Sequence, residues 1–148
     1  MSIAIIRNEF FGALRFDERR RSYEAEMEFT PGRKIAVTID SIGIEPGEAF
    51  ARSRHIYSTV ARREPEYRRA VASQLLPLYN RSWRNGEALH AGGFMERLSV
   101  ESVTIAPVEL GHMGCVTLYY DDGGLFAGHL IEVFLDADFR YSNAQLAG

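Results

Sequence analysis

The stretch Tyr23-Glu24-Ala25-Glu26-Met27-Glu28-Phe29 alternates apolar and acidic residues with a period of two. Such alternation indicates a β-strand with one face on the core and the other face in water. A charged cluster at 17–21 separates this stretch from an alternating run at 10–16, and a Pro-Gly turn leads to a third run at 33–40. We therefore expect the first part of the chain to form an antiparallel meander of three strands.

The apolar spacing changes after Ile44. Beyond Pro46, apolar residues recur three or four positions apart, which is the spacing of an amphipathic helix. Pro65 suits the first turn of a helix, so a second helix is expected to begin there, and Pro77 is expected to kink or end it. A loop and a short helical turn at 94–98 should follow.

Strand patterning resumes in the last third of the chain, over residues 100–110, 113–121 and 129–136. We therefore predict an α+β fold in two layers. Its sheet is mainly antiparallel and six-stranded, with three strands before and three strands after two to three helices, and the helices lie on one face. Because no repeat or linker divides the sequence, residues 1–148 are expected to form a single domain.

Composition narrows the class of protein. Hydrophobic residues make up 46% and charged residues 25% of the chain, which is typical of globular domains and disfavours disorder or a membrane span. The net charge of −3 argues against nucleic acid as the main partner, because phosphate binding needs a basic surface. Cys115 is the only cysteine, and residues 1–7 hold too short an apolar run for a signal peptide, so a cytoplasmic location is expected.

The last predicted hairpin carries apolar residues on both of its faces. If Asp121 and His129 flank its loop, Tyr119 lies opposite Ile131 on one face of the hairpin. The residues between them along each strand then form the other face. That face would consist of Val116, Leu118, Tyr120, Leu130 and Phe134. An apolar face of this kind needs a cover. The cover is either a loop of the same chain or a partner surface, and a homodimer through this hairpin is the sharper hypothesis.

The loop of this hairpin holds the residues most suited to chemistry. Asp121, Asp122 and His129 bring two carboxylates and an imidazole to one loop, which could form a divalent-metal site or an acid–base pair. The alternative is that an aspartate caps a Gly-rich turn and the imidazole donates to it, which would hold the hairpin in register. The sequence contains no His-x-x-x-His or Cys-x-x-Cys spacing and no phosphate-binding loop, so no cofactor is expected.

Charge is distributed unevenly along the chain. Residues 46–84 carry a net charge of +5 and residues 121–138 a net charge of −5. Opposed patches can guide association with a charged protein, although such runs are also common on solvated helix faces. An arginine-rich helix face would also suit a nucleic-acid accessory protein, but the overall acidic balance speaks against that function.

A resemblance adds to these observations. The acidic turn Asp121-Asp122-Gly123 and the strand motif Phe-x-Gly-His-x-Ile-x-Val at 126–133 resemble the end of a bacterial domain family of unknown function. The Phe-Gly-x-Leu motif at 11–14 and the glutamate-rich strand are similar to the opening of that family. The resemblance implies an immunity or accessory protein encoded beside a toxin, and it carries over no catalytic residue.

We therefore expect a cytoplasmic bacterial protein that acts as a protein-interaction domain, immunity-like or accessory, without catalytic activity. Its partner would be another protein or a second copy bound through the C-terminal hairpin, with neither nucleic acid nor a membrane involved. The alternative is a small metal-dependent or acid–base hydrolase that uses Asp121, Asp122 and His129.

Overall fold

The computed structural model describes residues 4–107 and 116–147. Within them the chain forms eight strands, two α-helices and one π-helical turn. The strands are β1 (Ile5–Asn8), β2 (Gly12–Asp17), β3 (Ser22–Thr30), β4 (Arg33–Asp40), β5 (Ser99–Ile105), β6 (Val116–Asp121), β7 (Leu130–Leu135) and β8 (Tyr141–Ala147). The helices are α1 (Pro46–Leu78) and α2 (Ala91–Arg97), and the π-helical turn is Tyr79–Trp83.

All eight strands form one sheet in the order of the sequence, from β1 at one edge to β8 at the other. Strands β4 and β5 pair in parallel, and each of the other neighbouring pairs is antiparallel. The crossover from β4 to β5 contains both α-helices, as a parallel connection requires. Two four-stranded meanders therefore meet at the centre of a mixed sheet.

The predicted six-stranded sheet with three strands on each side of the helices was wrong, because the sheet has eight strands arranged four and four. The two strands that the sequence did not reveal lie at the edges. Strand β1 has only four residues, and β8 has the sequence Tyr-Ser-Asn-Ala-Gln-Leu-Ala, in which few positions are strongly apolar. Edge strands bury little surface, so their sequences need little hydrophobic patterning. The broad α+β class and the strands at 22–30 and 33–40 agree with the prediction.

The pairing of β6 with β7 differs by one residue from the expected register. Asp121 lies opposite Leu130, and Tyr120 lies opposite Ile131. The expected pairing of Tyr119 with Ile131 was therefore wrong, because the loop includes His129 and β7 begins one residue later. A one-residue slip moves each side chain to the other face. The expected pairing of Cys115 with Leu135 lies outside the described residues.

Helix α1 is continuous over 33 residues, whereas two helices were expected. Pro65 lies inside it and removes one helical hydrogen bond, the bond to the carbonyl of Ala61. Buried residues on both sides of this position, among them Val60 and Tyr67, hold the helix against the sheet. Regular α-helix ends soon after Pro77, as predicted, and passes into the π-helical turn. The short helical turn expected near Phe94 is α2.

The core lies between α1 and one face of the sheet. Strands β2 to β7 contribute inward-facing residues to it, including Leu14, Val37, Val103, Leu118 and Val133, all fully buried. The opposite face of the sheet, which we call the open face, carries the residues in between. None of the helices in the part of the chain that the structure describes is long and apolar enough to cross a membrane.

The side-chain amide of Gln74 on α1 binds the β8 edge of the sheet. Its Nε2 donates to the carbonyl of Ala144 at 2.9 Å, and its Oε1 accepts from the Ala144 backbone N–H at 3.2 Å. A side-chain amide therefore occupies the backbone groups that a neighbouring strand would use. This contact covers the middle of the β8 edge.

Candidate functional site

The loop between β6 and β7 is built around the carboxylate of Asp122. This side chain is 1% exposed. Its Oδ1 accepts from the backbone N–H of Gly124 at 2.9 Å, and its Oδ2 accepts from the N–H groups of Phe126 at 2.8 Å and Gly128 at 3.0 Å. One carboxylate thus satisfies three backbone donors, and it fixes the path of the loop.

The other two candidate residues also bind the loop's own backbone. The Asp121 Oδ1 accepts from the N–H of Gly123 at 2.9 Å. The Nδ1 of His129 lies 2.5 Å from the carbonyl oxygen of Phe126, and because a carbonyl oxygen only accepts, Nδ1 is the donor. The His129 ring also packs edge-to-face against Trp83, with 5.8 Å between ring centroids.

The same loop is docked against the end of α2. Gly123 has a φ of 59°. A Cβ atom at this position would lie 2.2 Å from the backbone oxygen of Arg97, so only glycine fits. The Arg97 guanidinium in turn donates to the Gly123 carbonyl at 2.7 Å. The loop and the C-terminal end of α2 therefore hold each other in place.

These contacts give Asp121, Asp122 and His129 roles in shaping the loop. The turn interpretation matches them, with one difference: the imidazole binds a carbonyl and not a carboxylate. Within residues 4–107 and 116–147, no group of three or more His, Cys, Asp or Glu side chains is placed to hold a metal ion. The acid–base hypothesis for these residues stays a prediction.

A buried polar cluster that the sequence analysis missed lies under α1. Glu64 is 7% exposed. Its Oε1 accepts from Tyr120 Oη at 3.0 Å and from Arg68 Nε and Nη2 at 2.9 and 2.7 Å. Burial, and then the negative charge and hydrogen bond of Glu64, raise the pKa of the Tyr120 phenol far above its ordinary value. The phenol therefore keeps its proton and donates a hydrogen bond to the carboxylate.

Arg68 connects this cluster to the segment that leads into β5. Its Nη1 donates to the carbonyls of Met95 at 3.0 Å and Leu98 at 2.5 Å. Its guanidinium also lies over the Tyr120 ring, 5.7 Å from the centroid. The spacing of Glu64 and Arg68 by four residues predicts a helical ion pair. No local pattern predicts that Tyr120 joins this pair, because it lies 56 residues from Glu64 in the sequence.

The five residues predicted to form an apolar interaction surface do not share one face of the sheet. Val116, Leu118 and Tyr120 point into the core and are at most 2% exposed. Leu130 and Phe134 lie on the open face and are half-buried. The one-residue change of register explains the difference, because it separates the β6 residues from the β7 residues that were expected beside them.

The open face is arranged in rows across the strands. One row runs through Glu24, Thr38, Thr104, Thr117, Phe134 and Asn143. The next row runs through Glu26, Ala36, Ser102, Tyr119, Glu132 and Gln145. The centre of the sheet in these rows consists of hydroxyl, small and aromatic side chains, and the carboxylates lie toward the sides. We call this uncharged area the central patch; it consists of Ala36, Thr38, Ser102, Thr104, Thr117, Tyr119 and Phe134.

The carboxylate of Glu132 borders the central patch and is held by two neighbours. Tyr119 Oη donates to its Oε2 at 2.9 Å, and Gln145 Nε2 donates to its Oε1 at 2.7 Å. Burial, and then the hydrogen bond to Glu132, raise the pKa of the Tyr119 phenol. The hydrogen bond therefore holds the Tyr119 hydroxyl beside Glu132, its cross-strand neighbour in the same row.

The N-terminal half of the open face is charged. A shallow trough of about 690 Å³ lies there, with Arg15, Glu24, Glu26 and Lys34 among its lining residues. These four side chains form no ion pair with one another in the structure described. The open face thus combines an uncharged centre with a mixed-charge area on one side.

The family described as "Uncharacterized protein conserved in bacteria (DUF2262)" matches residues 8–146. No curated protein and no solved structure matches the chain. The match covers the whole of the sheet except part of its two edge strands, and with it the loop, the buried cluster and the open face. It confirms the expected bacterial family of unknown function. The chain belongs to this family of uncharacterized bacterial proteins, DUF2262.

Proposed function

We propose that the protein is a binding module, acting in the cytoplasm, whose open face contacts a partner protein. The observation that carries this proposal is the asymmetry of the sheet. Helix α1 covers one face, and the other face presents half-buried Tyr119 and Phe134 among hydroxyl side chains. Depletion of charge at the centre and enrichment in aromatic residues are typical of protein–protein interfaces. An immunity-like or accessory role is one form of this function.

The charges beside the central patch favour a protein over a nucleic acid. Glu24 and Glu26 lie next to it on β3, and Glu132 lies on the other side on β7. Carboxylates at these positions would repel a phosphate backbone. A partner with basic groups around a polar, flat centre would complement them, and such pairing also speeds association.

Site-specific photo-crosslinking in living cells of the source bacterium tests the proposal. A photoreactive amino acid replaces Thr104 at the centre of the open face, and in a matched control it replaces Ser58, which is exposed on α1. We expect an adduct with a second protein at position 104 and none at position 58. Crosslinking only at 58, or at neither position, would contradict the proposed function.

A substitution variant checks that the adduct reports binding. Thr117→Arg places a long cation in the central patch, where it meets Thr104 and Phe134 across the strands. We expect it to abolish the adduct at position 104, whereas Ser58→Arg leaves the adduct unchanged, with both variants melting at the temperature of the native chain. An adduct with twice the mass of the chain would show that the open face binds a second copy of this chain. That result would overturn the proposal of a different partner protein.

A further inference from the structure

A groove of about 360 Å³ lies between α1 and α2, away from the open face. Buried Ala72 and half-buried Leu76 and Met95 make its lining mainly apolar. Pro77 and Ala91 border it and are exposed. Its volume matches the lower end of small-ligand sites. The unbranched methionine side chain can adapt to different apolar shapes.

One cation lies in this groove without an acidic partner. Arg69 lines the groove, is exposed, and forms no ion pair or side-chain hydrogen bond within the described residues. Two other arginines of α1, Arg52 and Arg68, each pair with a glutamate four residues earlier. A guanidinium presents a planar set of donors that fits a carboxylate. The groove therefore offers a site for an anion next to an apolar surface.

The backbone of the groove offers an acceptor as well. Pro77 lies inside α1 and has no N–H, so the carbonyl of Ser73 lacks its usual helical donor. Ser73 lines the groove together with Arg69. Within the described residues, no side chain donates to this carbonyl. A carbonyl that has lost its helical donor can accept a hydrogen bond from a ligand that brings its own N–H group.

We propose that the groove binds the C-terminal end of a partner polypeptide whose last residue is apolar. The terminal carboxylate pairs with Arg69, the last amide N–H donates to the carbonyl of Ser73, and the last side chain packs on Leu76 and Met95. A free chain end combines these three groups within one residue. This site is independent of the open face, because α1 and the sheet lie between the two surfaces.

The test uses the tripeptide acetyl-Ala-Ala-Leu with a free carboxylate, added to the ¹⁵N-labelled full chain. We expect shift changes at the backbone amides of Ala91 and Met95 that saturate with peptide concentration. The same peptide with an amidated end should bind at least about tenfold more weakly, because the ion pair with Arg69 is lost. An analogue with an ester in place of the last amide should also bind more weakly, because it lacks the N–H.

Two arginine variants localise the site. Arg69→Gln should weaken binding of the free tripeptide about tenfold. Arg62→Gln, two helical turns away on the same exposed side of α1, should leave binding unchanged. Equal binding of acid and amide, equal effects of the two variants, or no shift change at millimolar peptide would overturn the proposal. Hexanoate, which has a carboxylate and no N–H, should bind more weakly than the tripeptide, and equally tight binding would contradict recognition of a chain end.

Discussion

Two turns of the sheet are built from similar residues and differ in what surrounds them. The β3–β4 turn holds Gly32 at a φ of 78°, and the β6–β7 loop holds Gly123 at a φ of 59°. In each, a carboxylate accepts from backbone N–H groups: Glu28 from Gly32 at 2.8 Å, and Asp122 from three donors. The first turn is exposed, whereas the second is packed against α2 through Arg97.

The difference shows that a turn can also be a tertiary contact. The β3–β4 turn only reverses the chain, so its residues are constrained by the backbone geometry of the turn itself. The β6–β7 loop also fixes the position of α2, which forms one side of the groove described above. Replacing a glycine or a carboxylate should therefore cost more in the β6–β7 loop than in the β3–β4 turn, and four variants measure the difference.

The largest effect is expected for Gly123→Ala. The new Cβ would lie 2.2 Å from the backbone oxygen of Arg97, and the backbone is in the left-handed region. Strain and overlap together should lower the free energy of unfolding by about 3 to 4 kcal/mol. Urea unfolding followed by circular dichroism measures this change. A loss below about 1 kcal/mol would contradict this prediction, because it would mean that α2 can shift away from the loop at little cost in free energy.

The second-largest loss of stability is expected for Asp122→Asn. The amide keeps the shape of the carboxylate, but one oxygen becomes an NH₂ group that faces backbone donors. At least one buried N–H loses its acceptor, so the free energy of unfolding should fall by about 3 kcal/mol. The same urea measurement applies, and hydrogen exchange at Phe126 should accelerate. Unchanged exchange at that amide would contradict the role assigned to this carboxylate.

Gly32→Ala is the matched control for the first variant. The backbone is again left-handed, but a Cβ at this position meets no atom within 4 Å. Only the conformational cost remains, so we expect a loss of about 1 kcal/mol in the free energy of unfolding. A loss as large as that of Gly123→Ala would remove the distinction between the two turns.

Glu28→Ala should have the smallest effect. It removes one hydrogen bond to the Gly32 N–H in an exposed turn, where water can take its place. The expected loss is about 0.5 kcal/mol in the free energy of unfolding, close to the error of the measurement. Thermal unfolding at neutral pH, compared with Asp122→Asn under the same conditions, completes the series. A loss equal to that of Asp122→Asn would show that the exposed carboxylate is as important as the buried one.

The parts of the fold that could be predicted from sequence are those with a strong local period. Strand β3 alternates glutamate with apolar residues, and its bounds were close to those observed. Strand β8 could not be recognised, because an edge strand held by backbone pairing and by Gln74 needs few apolar residues. Pro65 suggested a helix start, but packing on both sides outweighed the loss of one hydrogen bond.

The candidate site was predictable only in part. The residues of the β6–β7 loop stand together in the sequence, so their proximity was clear. The register of β7 against β6 depends on how many residues belong to the loop, and no local sequence pattern determines that number. The Glu64–Tyr120 contact and the groove between α1 and α2 join distant segments, and they arise from the packing of the helices.

The amide of Gln74 on the β8 edge has a consequence for association between copies of the chain. Growth of a sheet into a fibre needs two free edges on each molecule, so that each added copy offers a new one. Here one edge is already occupied by a side chain of α1, whereas Ile5 on β1 is 61% exposed. Strand addition through β1 alone would therefore stop at two molecules, and the contact of Gln74 with Ala144 opposes further growth at β8.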